Sequence, residues 1–336
     1  MGTLKISTFG ILALATILGL TGCGSSSTEG EKSSTGEVAK GGDTGKKQLT
    51  IGFAQVGAES GWRSAETASV QDEAKKRGIN LIFSDGQGKQ ENQIKAIHTF
   101  IVQHVDGIIL APVVVTGFEP VLKEAKDAGI PVVLSDRAVQ VKDDSLYATL
   151  VGSDFIEEGR RCGEFLAKKL NGKGNIAEIE GNNGSAPQLE RKKGFEEVIA
   201  KYPGIKITND AEGKFELAKG KEVMEAFLRA NGKNINAVFA HNDDMALGAI
   251  QAIEEAGMKP GKDILVASID GEKTMVQAVA DGKASLCVEC KALLGPGLFD
   301  AIESAIAKKP LPKKTVMQDD QFDDTNAAKL VSTRKY

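Results

Sequence analysis

The feature that most constrains this chain is a junction, repeated three times, in which a helical stretch ends in glycine and leads towards an apolar run. The junctions are KRGI at residues 76–79, DAGI at 127–130 and EAGM at 255–258. Glycine readily adopts the left-handed conformation that ends a helix, and the apolar runs have the length of buried strands. Helices and strands that alternate at this spacing predict a parallel, doubly wound α/β sheet.

The predicted strands are too many for one such sheet of ordinary size. A first group starts near residues 49, 79, 106, 130 and 147, and a second group starts near 175, 205, 237, 263 and 284. We therefore predict two similar α/β lobes, with a division after Ser153. Two stacked lobes place the carboxyl ends of both strand groups around one cleft, which is where open α/β sheets bind ligands.

The charge of the chain excludes one class of partner. Its 42 basic and 46 acidic residues are mixed along 336 residues, and the net charge is −4. A chain without a basic face has no electrostatic attraction for a polyanion, so we predict no nucleic-acid partner.

The first 23 residues have the pattern of a lipoprotein signal peptide. Lys5 precedes an apolar run at 9–20, and LTGC at 20–23 is a lipobox. The run of about 12 apolar residues is too short to span a membrane, and the Gly/Ser-rich segment at 24–48 is typical of a flexible tether, which argues against a buried core helix. We expect lipidation at Cys23 and an extracytoplasmic protein anchored to the cell membrane by two hydrophobic groups.

Three further cysteines, Cys162, Cys287 and Cys290, cannot all pair with one another. Cys287 and Cys290 have the spacing of a redox or zinc motif, but they lie in or beside a predicted strand at 284–289. Residues i and i+3 of a strand face opposite sides roughly 10 Å apart, too far for a disulfide. The histidines are distant in sequence, so we predict reduced, structural cysteines and no metal.

The first predicted strand, at 49–55, runs into a loop that is rich in chemical groups, and a helix is predicted from Ser64 to Lys76. Glu59, Ser60, Trp62 and Arg63 supply a carboxylate, a hydroxyl, an indole and a guanidinium within five residues. Hydrogen-bonding groups beside a flat apolar ring suit a polyhydroxylated ligand. Alternatively, Glu59 and Arg63 pair with each other as a surface salt bridge that is irrelevant to the ligand.

Polar side chains also follow other predicted strands. They are Asp136 with Arg137, Asn242 with Asp243 and Asp244, Asp270, and Glu289. Any one of them could cap the next helix, and we favour that role for Asp243 or Asp244. Asp136, Asn242 and Asp270 together favour a binding site. Phe215 lies in a predicted loop, where it either fills a packing gap or stacks on a ligand.

Residues 49–317 together resemble the periplasmic sugar-binding proteins of ABC importers, in the ribose-binding class. The most specific segments are SDR at 135–137, RKKGF at 191–195, FAHNDDMALG at 239–248 and IDG at 269–271. Within that class the chain is most similar to galactofuranose-binding proteins, through QVGAESGWR at 55–63, DGQ at 85–87, KQENQI at 89–94 and APVV at 111–114.

This resemblance implies two lobes joined by a multi-strand hinge, the periplasmic binding protein type I fold. The first lobe would comprise residues 49–152 and 290–318, and the second 153–289 and 319–336.

The resemblance also implies roles for particular residues. Sugar hydroxyls would be held from the first lobe by Asp136 and Arg137, and from the second by Arg191, Asn242 and Asp270. Trp62 and Phe215 would cover the two faces of the ring. Ribose binders usually have glutamine where this chain has Glu289, beside the hinge, and we predict that Glu289 also contacts the ligand.

We accordingly expect a monomeric binding protein, without enzymatic activity or cofactor, that delivers a monosaccharide to an ABC permease. A galactofuranose-like hexose is favoured, because we expect Glu59 and Arg63 to reach the exocyclic glycol tail that a hexofuranose has and a pentose lacks. A dinucleotide-dependent oxidoreductase is disfavoured because no G-x-G-x-x-G segment opens a helix after a predicted strand. A sugar-responsive repressor would need a DNA-binding domain where this chain has a lipobox and a tether. A chemoreceptor or signal-binding protein of the same fold remains an alternative.

Overall fold

The computed structural model describes residues 48–336. The predicted lipobox with Cys23, and all but the last residue of the predicted tether, lie outside the described residues. Within residues 48–336, no helix is both long and apolar enough to cross a membrane.

The described chain forms two six-stranded sheets with helices on their faces. The strands are β1 Thr50–Gln55, β2 Asn80–Asp85, β3 Gly107–Leu110, β4 Val132–Ser135, β5 Thr149–Gly152, β6 Lys173–Glu180, β7 Gly204–Glu212, β8 Ala237–Ala240, β9 Leu265–Asp270, β10 Leu286–Glu289, β11 Lys314–Val316 and β12 Gln321–Asp323. The helices are α1 Gly61–Arg77, α2 Gln90–Val102, α3 Glu119–Asp127, α4 Phe155–Lys169, α5 Ala186–Ile199, α6 Leu217–Asn231, α7 Asp243–Glu255, α8 Lys273–Ala280, α9 Gly295–Ile306 and α10 Ala327–Leu330.

Strand order confirms the predicted doubly wound α/β architecture. The first sheet has the order β11-β5-β4-β3-β1-β2 and the second β12-β10-β9-β8-β6-β7. All pairings are parallel except that of β12 with β10. The chain passes between the sheets after β5, after β10 and between β11 and β12. We call the part built on the first sheet the first lobe and the part built on the second sheet the second lobe.

The central strands are apolar on both sides because helices cover both faces of each sheet. All four residues of β3, β4 and β8 are buried. This burial fixes the register of each strand, and with it the position of the polar residue that follows the strand.

Two glycines let α4 and α5 pack in direct backbone contact. A Cβ atom at Gly159 would lie 2.1 Å from the carbonyl oxygen of Arg191, and one at Gly194 would lie 2.0 Å from that of Ile156. Any side chain at either position would force the helices apart. The close packing holds Glu158 of α4 beside Arg191 of α5.

Helix α1 begins earlier than the sequence predicts. We expected a helix from Ser64, but α1 begins at Gly61, and the Ser60 hydroxyl caps it by accepting a hydrogen bond from the Arg63 N–H at 3.0 Å. Trp62 and Arg63 therefore lie in the first helical turn and not in a loop. The helical backbone restricts the directions of their side chains more than a loop would.

The three described cysteines are free and buried. Cys287 lies inside β10, whereas Cys290 follows the end of that strand. Among the described residues, no cluster of histidine, cysteine or carboxylate side chains could hold a metal ion.

Candidate functional site

A small cavity lies between the lobes, at the carboxyl ends of the strands. Its empty volume, which includes space open to solvent, is about 270 Å³. The lining residues are Glu59, Ser60, Trp62, Arg63, Asp136, Arg137, Pro187, Arg191, Phe215, Asn242, Asp270 and Cys290. The structure thus brings together all the predicted ligand-contacting residues except Glu289.

Arg63 is the centre of a buried ion network in the first lobe. Its Nε lies 3.3 Å from Glu59, its Nη1 2.6 Å from Glu66 and its Nη2 2.8 Å from Asp136. Glu66 also accepts hydrogen bonds from Gln55 and Ser135. The alternative of a surface salt bridge between Glu59 and Arg63 is wrong, because the Arg63 side chain is buried and bonded to three carboxylates.

Arg137 has more free hydrogen-bonding capacity than Arg63. Its Nη2 lies 3.1 Å from Glu59, but its Nε and Nη1 have no hydrogen-bond partner within residues 48–336, and neither has Glu59 Oε2. Burial and the neighbouring Arg63 lower the pKa of Arg137 to about 10. A cation that is destabilised in this way gains from any ligand that supplies acceptors.

Arg191 faces this pair from the second lobe. Its Nε donates to Glu158 at 2.8 Å and its Nη1 to the carbonyl oxygen of His241 at 2.5 Å, while its Nη2 lies 3.7 Å from Asp270. Two strong contacts hold the guanidinium in place and leave Nη2 directed towards the cavity.

The two aromatic residues of the site are held by specific contacts. The Trp62 indole N–H donates to the carbonyl oxygen of Cys290 at 2.5 Å. The Phe215 ring lies against Gly181, where a Cβ atom would be 1.9 Å from the ring, and the Arg137 guanidinium lies 5.2 Å from its centre. Phe215 therefore fills a packing gap and lines the cavity at the same time.

Asn242, rather than Asp243 or Asp244, caps α7. Its side-chain oxygen accepts from the Met245 N–H at 3.1 Å, and its amide donates to the carbonyl oxygen of Phe215 at 3.2 Å. Asp243 instead accepts from Ser268 and from the Glu272 N–H. Our assignment of Asp243 or Asp244 as the cap was wrong because the extended backbone at Asn242 already satisfies the geometry of a cap.

Asp136 and Asp270 adopt backbone conformations that are rare for residues other than glycine, with φ of 63° and 143°. Such conformations cost about 1–3 kcal/mol each and persist where surrounding contacts impose them. Neither residue caps a helix, and both carboxylates border the cavity. The strain at these two positions is consistent with a binding role.

Glu289 does not line the cavity, which differs from the prediction of a ligand contact. Its carboxylate lies 2.6 Å from Arg334 Nη1 and 3.1 Å from Lys291 Nζ, and it accepts from the Asp320 N–H at 2.9 Å. Burial by itself would raise the pKa of Glu289, but the Asp320 N–H and Arg334 hold it below its usual value. Partners that are distant in sequence thus occupy this carboxylate.

Pro187 and Cys290 line the cavity, although the sequence analysis did not select them. Cys290 comes directly after β10, so the rule that ligand groups follow strands could have found it. Pro187 lies in the first turn of α5 and contributes only an apolar surface, and no chemical signal in the sequence marks it.

The lobes also touch at the rim of the cavity. Asp244 of the second lobe accepts a hydrogen bond from the Gly61 N–H of the first lobe at 2.8 Å. A Cβ atom at Gly61 would lie 2.8 Å from Glu272 Oε1, so the Glu272 carboxylate also approaches the first turn of α1. These contacts describe a closed arrangement of the two lobes.

Comparisons with known proteins identify the family and support the fold. A family model described as periplasmic binding protein domain matches residues 51–289. The galactofuranose-binding protein YtfQ of Escherichia coli is 54% identical over 272 residues, which are 80% of this chain and 86% of YtfQ.

Two solved structures are also similar. The periplasmic binding component of an arabinose ABC transporter from Shewanella sp. ANA-3, bound to L-arabinofuranose, is 52% identical with a TM-score of 0.83, covering 85% of this chain and 96% of that one. A Mycobacterium smegmatis protein in complex with β-D-fucofuranose is 49% identical with a TM-score of 0.82, covering 84% and 94%.

Proposed function

This chain belongs to the periplasmic binding protein family, and on that premise we propose that it captures a monosaccharide in its furanose form and delivers it to the permease of an ABC transporter. The observation that carries the proposal is the cavity itself. Charged donors and acceptors from both lobes face a small volume that Trp62 and Phe215 border. Sugar hydroxyls both donate and accept hydrogen bonds, and C–H faces of a sugar ring pack on aromatic rings.

The binding roles follow from the contacts of each residue. Asp136, Arg137 and Glu59 would hold hydroxyls from the first lobe, and Arg191, Asn242 and Asp270 from the second. Trp62 and Phe215 would cover the ring, and Ser60 lies at the rim. No role in catalysis is assigned to any of them, since the named relatives are binding components of importers.

A hexofuranose is favoured over a pentose by the unpaired atoms of Arg137 and Glu59. A hexofuranose has an exocyclic glycol tail that a pentose lacks, and it needs additional donors and acceptors. We expected Arg63 to read this tail, but Arg63 is already bonded to three carboxylates. In the cavity lining, Arg137 Nε and Nη1 and Glu59 Oε2 have no hydrogen-bond partner among the described residues, and the nearest carboxylate to Arg137 Nε is that of Asp136 at 3.6 Å. One relative is a galactofuranose-binding protein and another is bound to L-arabinofuranose, so both sugars are candidates.

Calorimetry tests this proposal directly. Purified protein is titrated with D-galactose, L-arabinose, D-fucose and D-ribose, and the ring form of the bound sugar is determined by crystallography. We expect D-galactose or L-arabinose to bind most tightly, and to be held as the furanose. Tightest binding of ribose, or a bound pyranose, would contradict the proposal. A thermal shift for the same sugars provides a second readout, because a ligand that binds only the native state stabilises it.

We also propose that the protein is lipid-anchored at Cys23 on the outer side of the cell membrane and that it acts as a monomer. The support for the lipid anchor is the lipobox followed by a Gly/Ser-rich segment. Expression of Cys23→Ala with labelled fatty acid tests the anchor. Label should enter the unmodified protein and be absent from the variant, whereas equal labelling of both would refute the anchor.

Closure would move two rigid parts of the chain about the three crossings between the sheets. We propose residues 49–152 with 290–318 as one part, and 153–289 with 319–336 as the other.

A further inference from the structure

Arg334 and Tyr336 contact the strand ends that border the cavity, although neither residue lines it. Residues 334–336, which we call the strap, follow the last short helices of the second lobe. Arg334 Nε donates to the carbonyl oxygen of Gly271 at 2.7 Å, and its Nη1 lies 2.6 Å from Glu289. The strap thus joins the ends of β9 and β10.

The Tyr336 hydroxyl lies within hydrogen-bonding distance of three backbone groups at the same place. It is 3.3 Å from the carbonyl oxygen of Asp270, 3.1 Å from that of Cys290 and 3.4 Å from the Ala292 N–H. The backbone oxygen of Tyr336 accepts from the Lys273 N–H at 2.7 Å, which attaches the strap to the first turn of α8.

These contacts surround the strained turn at Asp270. Asp270 has φ of 143° and Gly271 has φ of 79°, so both backbone units are in conformations that need support. A Cβ atom at Gly271 would lie 2.9 Å from Arg334 Nη2, so glycine there also makes room for the strap. The Gly271 carbonyl oxygen accepts a hydrogen bond from Arg334, and the Asp270 carbonyl oxygen lies 3.3 Å from the Tyr336 hydroxyl.

The strap also meets the ring-covering residue of the first lobe. The Cys290 carbonyl oxygen accepts from the Trp62 indole as well as from the Tyr336 hydroxyl. One carbonyl group therefore connects the strap to Trp62 when the lobes are closed.

We propose that the strap is a positioning element of the sugar site, through which Arg334 and Tyr336 hold Asp270 and the acceptor of Trp62 in the geometry that binds the ligand. The proposal deepens the proposed function and rests on it. It also explains why Glu289 lies outside the cavity lining: the carboxylate of Glu289 holds Arg334 in place and does not contact the sugar.

The test compares Tyr336→Phe and Arg334→Gln with a control in the same segment, Lys335→Ala, whose side chain is exposed. Trp62 is the single tryptophan of the sequence, so its fluorescence reports sugar binding at the site itself. We expect each strap variant to bind the sugar roughly tenfold more weakly, the usual effect of losing one or two hydrogen bonds. Lys335→Ala should bind as the unmodified protein does.

A double-mutant cycle separates the two roles of Glu289. If Glu289 acts through Arg334, then Glu289→Gln and Arg334→Gln should weaken binding by similar factors, and the double variant should be no weaker than the worse single variant. Multiplied losses in the double variant would show that Glu289 acts independently of the strap, and would overturn this part of the proposal.

Hydrogen exchange of the ligand-free protein gives a readout that does not need the sugar. The Cys290 N–H donates to the Asp270 carbonyl oxygen at 3.1 Å, and its exchange should accelerate in both strap variants and not in Lys335→Ala. Unchanged affinity with only a lower melting temperature, or unchanged exchange at Cys290, would overturn the positioning role. If no sugar binds the unmodified protein, the proposed function fails, and the exchange result alone decides the strap.

Discussion

Two arginines of the first lobe line the same cavity but differ in how their charges are compensated. Arg63 is bonded to three carboxylates, and removing it would leave Glu66 and Asp136 buried without their cation. Arg137 lies 3.1 Å from Glu59 and 3.6 Å from Asp136, and two of its nitrogens, Nε and Nη1, have no hydrogen-bond partner among the described residues. A buried charge with partners supports folding once it is in place, whereas a buried charge with few partners opposes folding. Ligand binding is the clearest reason to retain Arg137.

We therefore expect opposite stability effects from Arg137→Met and Arg63→Met. Arg137→Met should lower sugar affinity by about 100-fold or more, as expected for lost charged hydrogen bonds, while the melting temperature of the ligand-free protein stays equal or rises. Arg63→Met should lower both the sugar affinity and the melting temperature. The free energy of unfolding should fall by about 3–5 kcal/mol, as expected when one partner of a buried ion pair is removed.

Calorimetry for affinity and thermal unfolding for stability check this pair of variants, with the exposed Arg229→Met as the control. A drop in melting temperature for Arg137→Met as large as that for Arg63→Met would show that Arg137 is structural.

At the scale of elements, the first turn of α1 is where the lobes meet. A helix N-terminus exposes N–H groups that carry partial positive charge, and carboxylates are stabilised there. The Gly61 N–H donates to Asp244, and a Cβ atom at position 61 would displace the Glu272 carboxylate. Carboxylates of the second lobe thus cap a helix of the first lobe when the cleft is closed.

Gly61→Ala should obstruct this contact, because the added methyl carbon would lie 2.8 Å from Glu272 Oε1. We expect a faster release of the sugar, by roughly tenfold, since the closed form loses stability while the open form does not. Stopped-flow measurement of Trp62 fluorescence gives the release rate.

Ser64→Ala, an exposed position in the same helical turn, should release the sugar at the unmodified rate. An unchanged rate in Gly61→Ala would mean that the α1 contact does not limit opening.

At the scale of the whole molecule, closing the cleft is coupled to protons through Glu272. Burial, and then the neighbouring Asp243 and Asp244, raise the pKa of Glu272 to about 8, against the opposing Trp62 N–H and the Thr274 hydroxyl. Opening the lobes would expose the carboxylate to water and lower its pKa in the direction of roughly 4.3, while Asp243 and Asp244, which belong to the same lobe, stay beside it. At a pH between the pKa of the open form and that of the closed form, the closed form holds a proton that the open form has lost.

Sugar affinity should therefore fall as the pH rises from about 4.5 to about 8, and binding at pH 6–7 should take up protons. Calorimetry in two buffers with different ionisation enthalpies measures this uptake. Glu272→Gln should remove most of it, whereas Glu222→Gln, on the exposed face of α6, should not. Equal uptake in Glu272→Gln and the unmodified protein would exclude Glu272 as the coupled group.

The architecture and most of the site were predictable because both depend on local patterns. Glycines that end helices and apolar runs of strand length determine alternating elements, and alternating elements of this spacing form doubly wound sheets. Polar groups that follow strands must then lie at one edge, which is how Asp136, Asn242 and Asp270 were found together. The family resemblance added Arg191 and the expected pairing of Trp62 with Phe215.

Only the tertiary structure decided which charges are already satisfied. Glu289 and Asp270 both lie at the end of a predicted strand, so the sequence predicts the same role for both. In the structure, however, the Glu289 carboxylate is bonded to Arg334, which is 45 residues away in sequence. In the same way the Asp136 carboxylate lies closer to Arg63, which is 73 residues away, than to Arg137, which follows it in sequence: 2.8 Å from Arg63 Nη2 and 3.6 Å from Arg137 Nε. Partners of this kind meet through packing between elements that are remote in sequence, and a buried charge is free for a ligand only where that packing leaves it unpaired.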